Sequence, residues 1–185
     1  MQSAGADRPS ILNYTKTVYG LFFGPVSMSL EPHIIVGLAR RYCRLIETSG
    51  DADPAWLAEV AALLPRLHAA VVSLDAVDLG EEHHLTPDLD ARFELFSHLR
   101  DLLGERDGYW LEFDRLGDAE HMTGSLADDL TDIYCELKHG LRLVDSHQRG
   151  ALRGWREGFE GHWGQHLFDA QRHLSALAAE DRLLA

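Results

Sequence analysis

Apolar residues recur at intervals of three and four in five separate segments of this chain, and that spacing predicts an all-α fold. An apolar side chain at every third or fourth position forms a stripe along one side of an α-helix. Capping residues, prolines and glycines bound the segments; Pro32 opens the first and Gly104 closes the third. We therefore predict a single-domain bundle of about five main helices over residues 31–185. Residues 1–30 are predicted to be an N-terminal extension, partly disordered.

Local signals refine the boundaries of the second and fourth helices. Asp53-Pro54 combines a capping residue with a proline at the first helical position, so the second helix is expected to begin there. Pro65 lies inside the second apolar stripe and predicts a kink or a break in that helix. Ser125, followed three residues later by Asp128, is typical of the start of a fourth helix.

Two segments depart from the simple helical pattern. Residues 107–114 alternate apolar and polar side chains, which suits a short extended segment. Because a single strand without a partner does not form a stable sheet, we predict a packed connection there. In the last helix, Gly158, Gly161 and Gly164 each cost about 1 kcal/mol relative to alanine. Their cluster predicts either close approach of another helix or a local break.

The composition argues against nucleic-acid and membrane partners. The chain has 17 basic and 30 acidic residues and a net charge of −13, which repels a phosphate backbone. No apolar run approaches the roughly 20 residues that a membrane-spanning helix needs. Cys43 and Cys135 lie far apart without disulfide or zinc-ribbon spacing, so we expect reduced core thiols in a cytoplasmic protein.

Histidine is the unusual residue type, with 11 in the chain. His162, His166, Asp169 and His173 follow one another at steps of four, three and four, which places them along one stripe of the last helix. Two histidines four residues apart can chelate a divalent metal, and a carboxylate would complete a site of mixed nitrogen and oxygen ligands. The alternative is that they lie at the core boundary, with an apolar ring body and a hydrated nitrogen. Apart from this metal, the sequence predicts no cofactor.

A row of carboxylates on the fourth helix permits two interpretations. Asp129, Asp132 and Glu136 are spaced three and four apart, so they share one side of the helix. They either form a solvated acidic face, which is the commoner arrangement, or supply ligands to a metal shared with the histidines. Glu136-x-x-His139 resembles half of a di-iron motif, but both residues are expected to point away from the apolar face of the helix.

Aromatic residues in the last two helices are a further candidate site. Core packing accounts for most such clusters, and a ligand pocket or a partner interface is the alternative. The residues that would line that pocket or interface are Tyr134, Trp155, Phe159 and Trp163.

Two segments together resemble a known family. DIYCELK, beginning at residue 132, and FEGHWGQHL, beginning at residue 159, are similar to segments of the bacterial family catalogued as domain of unknown function 5063. The similarity extends from about residue 38 to residue 177. The resemblance implies an all-helical fold and a cytoplasmic bacterial protein, and it implies no catalytic residue.

Three hypotheses about function follow from these patterns. The first is a protein-interaction or regulatory module that binds another protein or a second copy of itself, because the chain lacks the standard short catalytic motifs. The second is a metal-dependent, hydrolase-like enzyme that uses His162 and His166 as ligands. The third is a small-molecule sensor with an aromatic pocket.

Overall fold

The computed structural model describes residues 32–51, 55–74, 88–112, 121–146 and 151–184. The predicted N-terminal extension and the predicted cap at Asp53 lie outside these residues. The described part confirms the predicted all-α bundle, with one small hairpin added. Its main elements in chain order are α1 (Pro32–Glu47), α2 (Trp56–Val72), α3 (Leu89–Leu103), β1 (Gly108–Glu112), β2 (His121–Ser125), α4 (Leu126–Asp145), α5 (Ala151–Gly158), a π-helical segment (Phe159–Trp163) and α6 (Gly164–Ala179).

Pro65 lies inside α2 and does not divide it. The helix is assigned as one element from Trp56 to Val72, so the predicted break does not occur. A proline removes a single backbone hydrogen bond from a helix. Leu64 and Leu67, on either side of it, are fully buried, and their packing holds the two halves together.

The prediction of an unpaired connection at residues 107–114 is wrong. β1 pairs antiparallel with β2, and Tyr109 lies opposite Gly124 in the register. The sequence of β2, His-Met-Thr-Gly-Ser, lacks the alternation of apolar and polar residues that would have identified it as a strand. The hairpin places Tyr109 beside the start of α4.

Helix α4 lies at the centre of the bundle. It contacts α1, α3, α5 and α6, and 11 of its 20 residues are buried. Tyr42 of α1 joins this centre by donating its hydroxyl to the carbonyl oxygen of Leu130, at 2.9 Å. Because neighbours surround α4, more than one of its faces is covered, including the face that carries its carboxylates.

Asp107 fixes the junction between the hairpin and α4. Ser125 caps the helix as predicted, since its Oγ accepts from the backbone N–H of Asp128 at 3.2 Å. Asp107, which is buried, adds a second cap by accepting from the backbone N–H of Ala127 at 2.7 Å and from Ser125 Oγ at 2.9 Å. The two side chains together satisfy N–H groups that a helix start leaves without partners.

Replacing Asp107 with alanine is therefore expected to lower the free energy of unfolding by about 1–2 kcal/mol, the upper part of the range for a helix cap. Urea denaturation followed by circular dichroism measures this difference. Asp101→Ala, at an exposed position of α3, is the matched control and should change stability by no more than about 0.5 kcal/mol. Equal effects of the two substitutions would contradict the capping role.

The predicted last helix is interrupted by a π-helical segment over residues 159–163. The backbone N–H of Gly164 donates to the carbonyl oxygen of Phe159, five residues earlier. A Cβ at Gly164 would collide with that oxygen, so this position requires glycine. Gly140 of α4 is equally constrained, because a Cβ there would overlap the indole of Trp155. The local break expected from Gly158, Gly161 and Gly164 is therefore realised, whereas the close approach at Gly140 involves a glycine outside that cluster.

His68 of α2 packs in a small aromatic cluster with Phe159 and Phe168. Its ring lies 5.7 Å from that of Phe159 and 4.9 Å from that of Phe168, measured between centroids. Nε2 of His68 is buried and has no hydrogen-bond partner among the described residues. Burial therefore lowers the pKa of His68, because the charged imidazolium loses its hydration.

This lowered pKa predicts a pH dependence of stability. Near and below the ordinary histidine pKa of about 6.5, the unfolded chain binds a proton at His68 more readily than the folded protein does. Stability contributed by this residue is thus present above that pH and is lost as the pH falls through it. The free energy of unfolding of His68→Leu should rise relative to that of the wild type between pH 8 and pH 5.5. A difference that stays constant with pH would contradict this account.

The described residues include no helix that is both long enough and apolar enough to span a bilayer. Cys43 is buried and Cys135 is half-buried, and both are free thiols. Burial raises the pKa of Cys43 to about 12, so it is a core residue without thiolate reactivity.

Candidate metal centre

The carboxylate row of α4 faces the histidines that follow α5. Asp129 and Asp132 are only 5% and 8% exposed, so their interpretation as a solvated acidic face is wrong. Helix α6 packs against α4 on this side and covers both residues. The histidines that meet them are His162, in the π-helical segment, and His166, in α6.

His166 lies between two aspartates. Its Nδ1 is 2.9 Å from Oδ1 of Asp129, and its Nε2 is 3.3 Å from Oδ2 of Asp132. An ionised carboxylate only accepts hydrogen bonds, so both ring nitrogens face acceptors. Two hydrogen bonds at once require a doubly protonated ring, whereas a neutral ring leaves one nitrogen with a lone pair directed at an oxygen. A cation bound at that nitrogen removes the conflict.

The surroundings of His166 and Asp129 shift the pKa of both side chains. The hydrogen bond to Asp129 raises the pKa of His166. Burial of the ring lowers this pKa, and the charges of the neighbouring aspartates raise it. Burial raises the pKa of Asp129, and hydrogen bonds from His166 and Tyr109 offset part of that rise. Both shifts favour the protonated form of the two side chains, so a metal ion at Nε2 of His166 would bind in competition with a proton.

Asp132 is held from its other side by Arg92 of α3. Nε of Arg92 donates to Oδ1 of Asp132 at 2.7 Å, and its NH2 nitrogen donates to Oδ1 of Asp128 at 2.9 Å. These contacts raise the pKa of the Arg92 guanidinium and keep it charged. Oδ2 is therefore the oxygen of Asp132 that is directed at His166.

His162 repeats the arrangement of His166 with a different carboxylate. Its Nδ1 lies 3.2 Å from Oε1 of Glu136. Glu136 was expected to point away from the apolar face of α4, and the π-helical segment contacts the helix on the side that carries Glu136. In both histidines a carboxylate engages Nδ1, which leaves Nε2 as the nitrogen available for another ligand.

These side chains form a candidate metal site, in which one pair already has the spacing of two ligands of one ion. One ligand atom each from Asp132, His162 and His166 lie within 4.8 Å of one another. Two ligands about 2.0–2.2 Å from a tetrahedral ion are about 3.3–3.6 Å apart, and Nε2 of His166 and Oδ2 of Asp132 already have that separation. With an ion bound there, Asp129 and Glu136 would be the outer carboxylates that orient the two histidines through Nδ1.

The other two predicted ligands lie outside this group of three. Asp169 accepts from Nε2 of Gln165 at 2.7 Å and lies 3.5 Å from Arg172. His173 bonds through Nε2 to the carbonyl oxygen of Arg106 at 2.7 Å. Asp169 lies about one helical turn beyond His166 and His173 about two turns beyond it, so neither residue is in the group that meets Asp132.

The four residues of the predicted aromatic site do not lie together: Trp155, Phe159 and Trp163 are in the core, and Tyr134 is half-buried elsewhere, on α4. Trp155 and Trp163 are buried, and their indole N–H groups donate to the carbonyl oxygens of Glu136 and Trp155, respectively. Tyr134 lies apart from them and donates its hydroxyl to Glu47 at 2.9 Å. The indoles thus serve the packing of α5 and α6 against α4, and the sensor hypothesis stays a prediction.

Two residues of the site were missed by the sequence-based analysis. Arg92 lies 40 positions from its partner Asp132, and Tyr109, which donates to Asp129, lies 20 positions away. Neither residue lies on the same helix as a candidate ligand, so the spacing of apolar and polar residues could not connect them to the site. Arg92 stands three positions after Leu89 on an amphipathic helix, where a basic residue ordinarily indicates solvent exposure.

The family relationship extends over most of the chain. Residues 27–180 match the family described as domain of unknown function 5063. The chain belongs to this family. The family description carries no activity, and all the residues of the candidate metal centre lie within the matched range.

A solved structure supports the fold. The crystal structure of protein BF1032 from Bacteroides fragilis has a TM-score of 0.64 to this protein at 21% identity, and the similarity covers 78% of this chain and 89% of that chain. No curated protein matches the chain. At this identity the structural relationship shows a shared helical fold and carries no statement about chemistry.

Proposed function

We propose that this protein binds one divalent transition-metal ion through Asp132, His162 and His166 and that the ion supports hydrolase-like chemistry. The observation that carries the proposal is the position of His166, whose Nε2 faces Oδ2 of Asp132 at 3.3 Å while Asp129 engages Nδ1. The side chain of His162 is 55% exposed, and one of its ligand atoms already lies within 4.8 Å of those of Asp132 and His166.

The donor set determines the class of metal. Two imidazoles and one carboxylate suit Zn²⁺, Fe²⁺, Co²⁺ and Ni²⁺, whereas Mg²⁺ and Ca²⁺ prefer oxygen ligands alone. The surrounding acidic residues, among them Asp129 and Glu136, favour any cation, but only the nitrogens distinguish a transition metal. We therefore expect Zn²⁺ to bind in the presence of excess Mg²⁺.

The number of ligands supports a reactive role for the ion rather than a structural one. Structural zinc sites are closed by four protein ligands, whereas catalytic sites have three and keep a position for water. A zinc-bound water has its pKa lowered to about 7 and becomes a nucleophile at neutral pH. His162 lies at the solvent-facing edge of the site, so a substrate would reach the ion from that side.

The metal content of untagged protein tests this proposal. After incubation with Zn²⁺ in millimolar Mg²⁺ and gel filtration, elemental analysis should give about one zinc per chain. The double variant His162→Ala with His166→Ala should retain almost none. The matched control is His33→Ala with His98→Ala, which also removes two imidazoles from helices but leaves the site intact. Absence of zinc from the wild type, or equal zinc in both double variants, would overturn the proposal.

A second candidate, self-association, is supported by an exposed apolar face on α3. Leu89 and Phe93 are four residues apart on this helix, so they share one face, and they are 69% and 66% exposed. Contact with a second copy would cover them. Light scattering should then show a dimer for the wild type and a monomer for Phe93→Asp. A wild type that stays monomeric at high concentration would contradict this role.

A further inference from the structure

Tyr109 contacts the proposed metal centre from the hairpin, although it is not one of the candidate ligands. Its hydroxyl donates to Oδ2 of Asp129, while Oδ1 of the same carboxylate faces Nδ1 of His166. A continuous chain of hydrogen bonds thus runs from the hairpin through Asp129 to the imidazole. Burial and the proximity of Asp129 raise the pKa of Tyr109 well above its ordinary value, so its hydroxyl keeps its proton.

The ring of Tyr109 is fixed on both sides. On one side it lies against Gly124, its partner in the register, where a Cβ would overlap the ring. On the other side it stacks on His173, with ring centroids 4.7 Å apart and planes inclined by 29°. His173 is itself held through its bond to the carbonyl oxygen of Arg106. These contacts hold the ring so that the hydroxyl of Tyr109 is directed toward Asp129.

We propose that Tyr109, seated against Gly124, is a positioning residue that sets the orientation of His166 in the metal centre by way of Asp129. The inference rests on the proposed metal binding. Asp129 has two oxygens and two donors, and it orients the imidazole only while both bonds are made. Without the tyrosine hydroxyl, Oδ2 of this buried carboxylate loses its donor, and the carboxylate is free to turn away from Nδ1.

Titration with Co²⁺ tests the inference, because the visible absorption of this ion reports the geometry of its ligands. Substitutions next to metal-binding histidines typically weaken metal affinity by about 10–100-fold. Because Tyr109 acts through Asp129, Tyr109→Phe is expected to weaken Co²⁺ binding by about tenfold, the lower end of that range, and to change the absorption spectrum. Gly124→Ala should produce the same two changes, since it displaces the ring without removing the hydroxyl.

Matched variants separate positioning from general loss of structure. Tyr134→Phe removes another half-buried tyrosine hydroxyl that donates to a carboxylate, that of Glu47, away from the site. Gly108→Ala adds a methyl group to the same hairpin at a position where nothing lies within 4 Å. Both controls should bind Co²⁺ with the affinity and the spectrum of the wild type.

The possible outcomes distinguish the two proposals. If the wild type binds Co²⁺ and Tyr109→Phe matches it in affinity and spectrum, the positioning role is overturned and the metal centre stands. If Tyr109→Phe and Tyr134→Phe weaken binding equally, the positioning role is likewise overturned. If the wild type binds no Co²⁺, the metal centre is overturned, and the role of Tyr109 falls with it.

Discussion

Zinc is expected to raise the melting temperature of the wild-type protein by about 5–10 °C and to leave that of His166→Ala unchanged. An ion that binds only the folded state at one hundred times its dissociation constant adds about 2.7 kcal/mol of stability. In a chain of this size each kcal/mol corresponds to about 2–4 °C. His166 supplies the imidazole nitrogen that lies 3.3 Å from Oδ2 of Asp132, so its removal takes away the pair of atoms that already have the spacing of two metal ligands.

Thermal denaturation with Zn²⁺ and with a chelator measures this effect. Asp132→Asn serves as a second variant, because its amide keeps an acceptor for Arg92 while it removes the charged ligand oxygen. It should lose the zinc-dependent shift as His166→Ala does. His98→Ala is the control and should keep the full shift, since His98 lies beside Ser49 away from the site. Equal shifts in all three variants would contradict the ligand assignment.

Replacing Trp155 with alanine is expected to lower the free energy of unfolding by about 3–5 kcal/mol, the usual cost of truncating a buried tryptophan. Trp155 is 1% exposed and lies directly over Gly140. Its indole N–H donates to the carbonyl oxygen of Glu136 at 3.1 Å, and its own carbonyl oxygen accepts from Trp163 at 3.2 Å. The substitution therefore opens a cavity between α4 and α5 and removes a hydrogen bond between them.

Urea denaturation measures the loss, and Trp110→Ala provides the control. Trp110 is 69% exposed on β1, so its removal should change stability by no more than about 0.5 kcal/mol. A loss below about 1 kcal/mol for Trp155→Ala would show that the indole does not fill the core. That result would instead favour the predicted aromatic pocket.

Features that depend on one helix were predictable from the sequence. Ser125 was identified as a cap because its partner is the backbone three residues later. His162 and His166 were placed on one stripe because a helix repeats every 3.6 residues. The burial of the acidic row was left open, since the pattern of one helix does not reveal which of its faces a neighbouring helix covers. Asp132 could not be selected from that row for the same reason.

Features that depend on contacts between distant segments were not predictable. The partner strand of residues 108–112 was missed because its sequence has no strand pattern, and Tyr109 consequently had no assigned role. Arg92 reaches Asp132 only because α3 packs on α4. The π-helical segment was anticipated as a break from its glycines, yet the backbone bond that defines it joins Gly164 to Phe159 and follows from packing on both sides.

Crystals grown with Zn²⁺ test the metal centre most directly, through an anomalous difference map calculated at the zinc absorption edge. We predict one strong peak about 2.0–2.2 Å from Nε2 of His166 and from Oδ2 of Asp132. His162 should complete the protein ligands, and Nδ1 of His166 should remain bonded to Asp129. A map without a peak between α4 and α6, or with zinc bound only at surface histidines outside this site, would contradict the account.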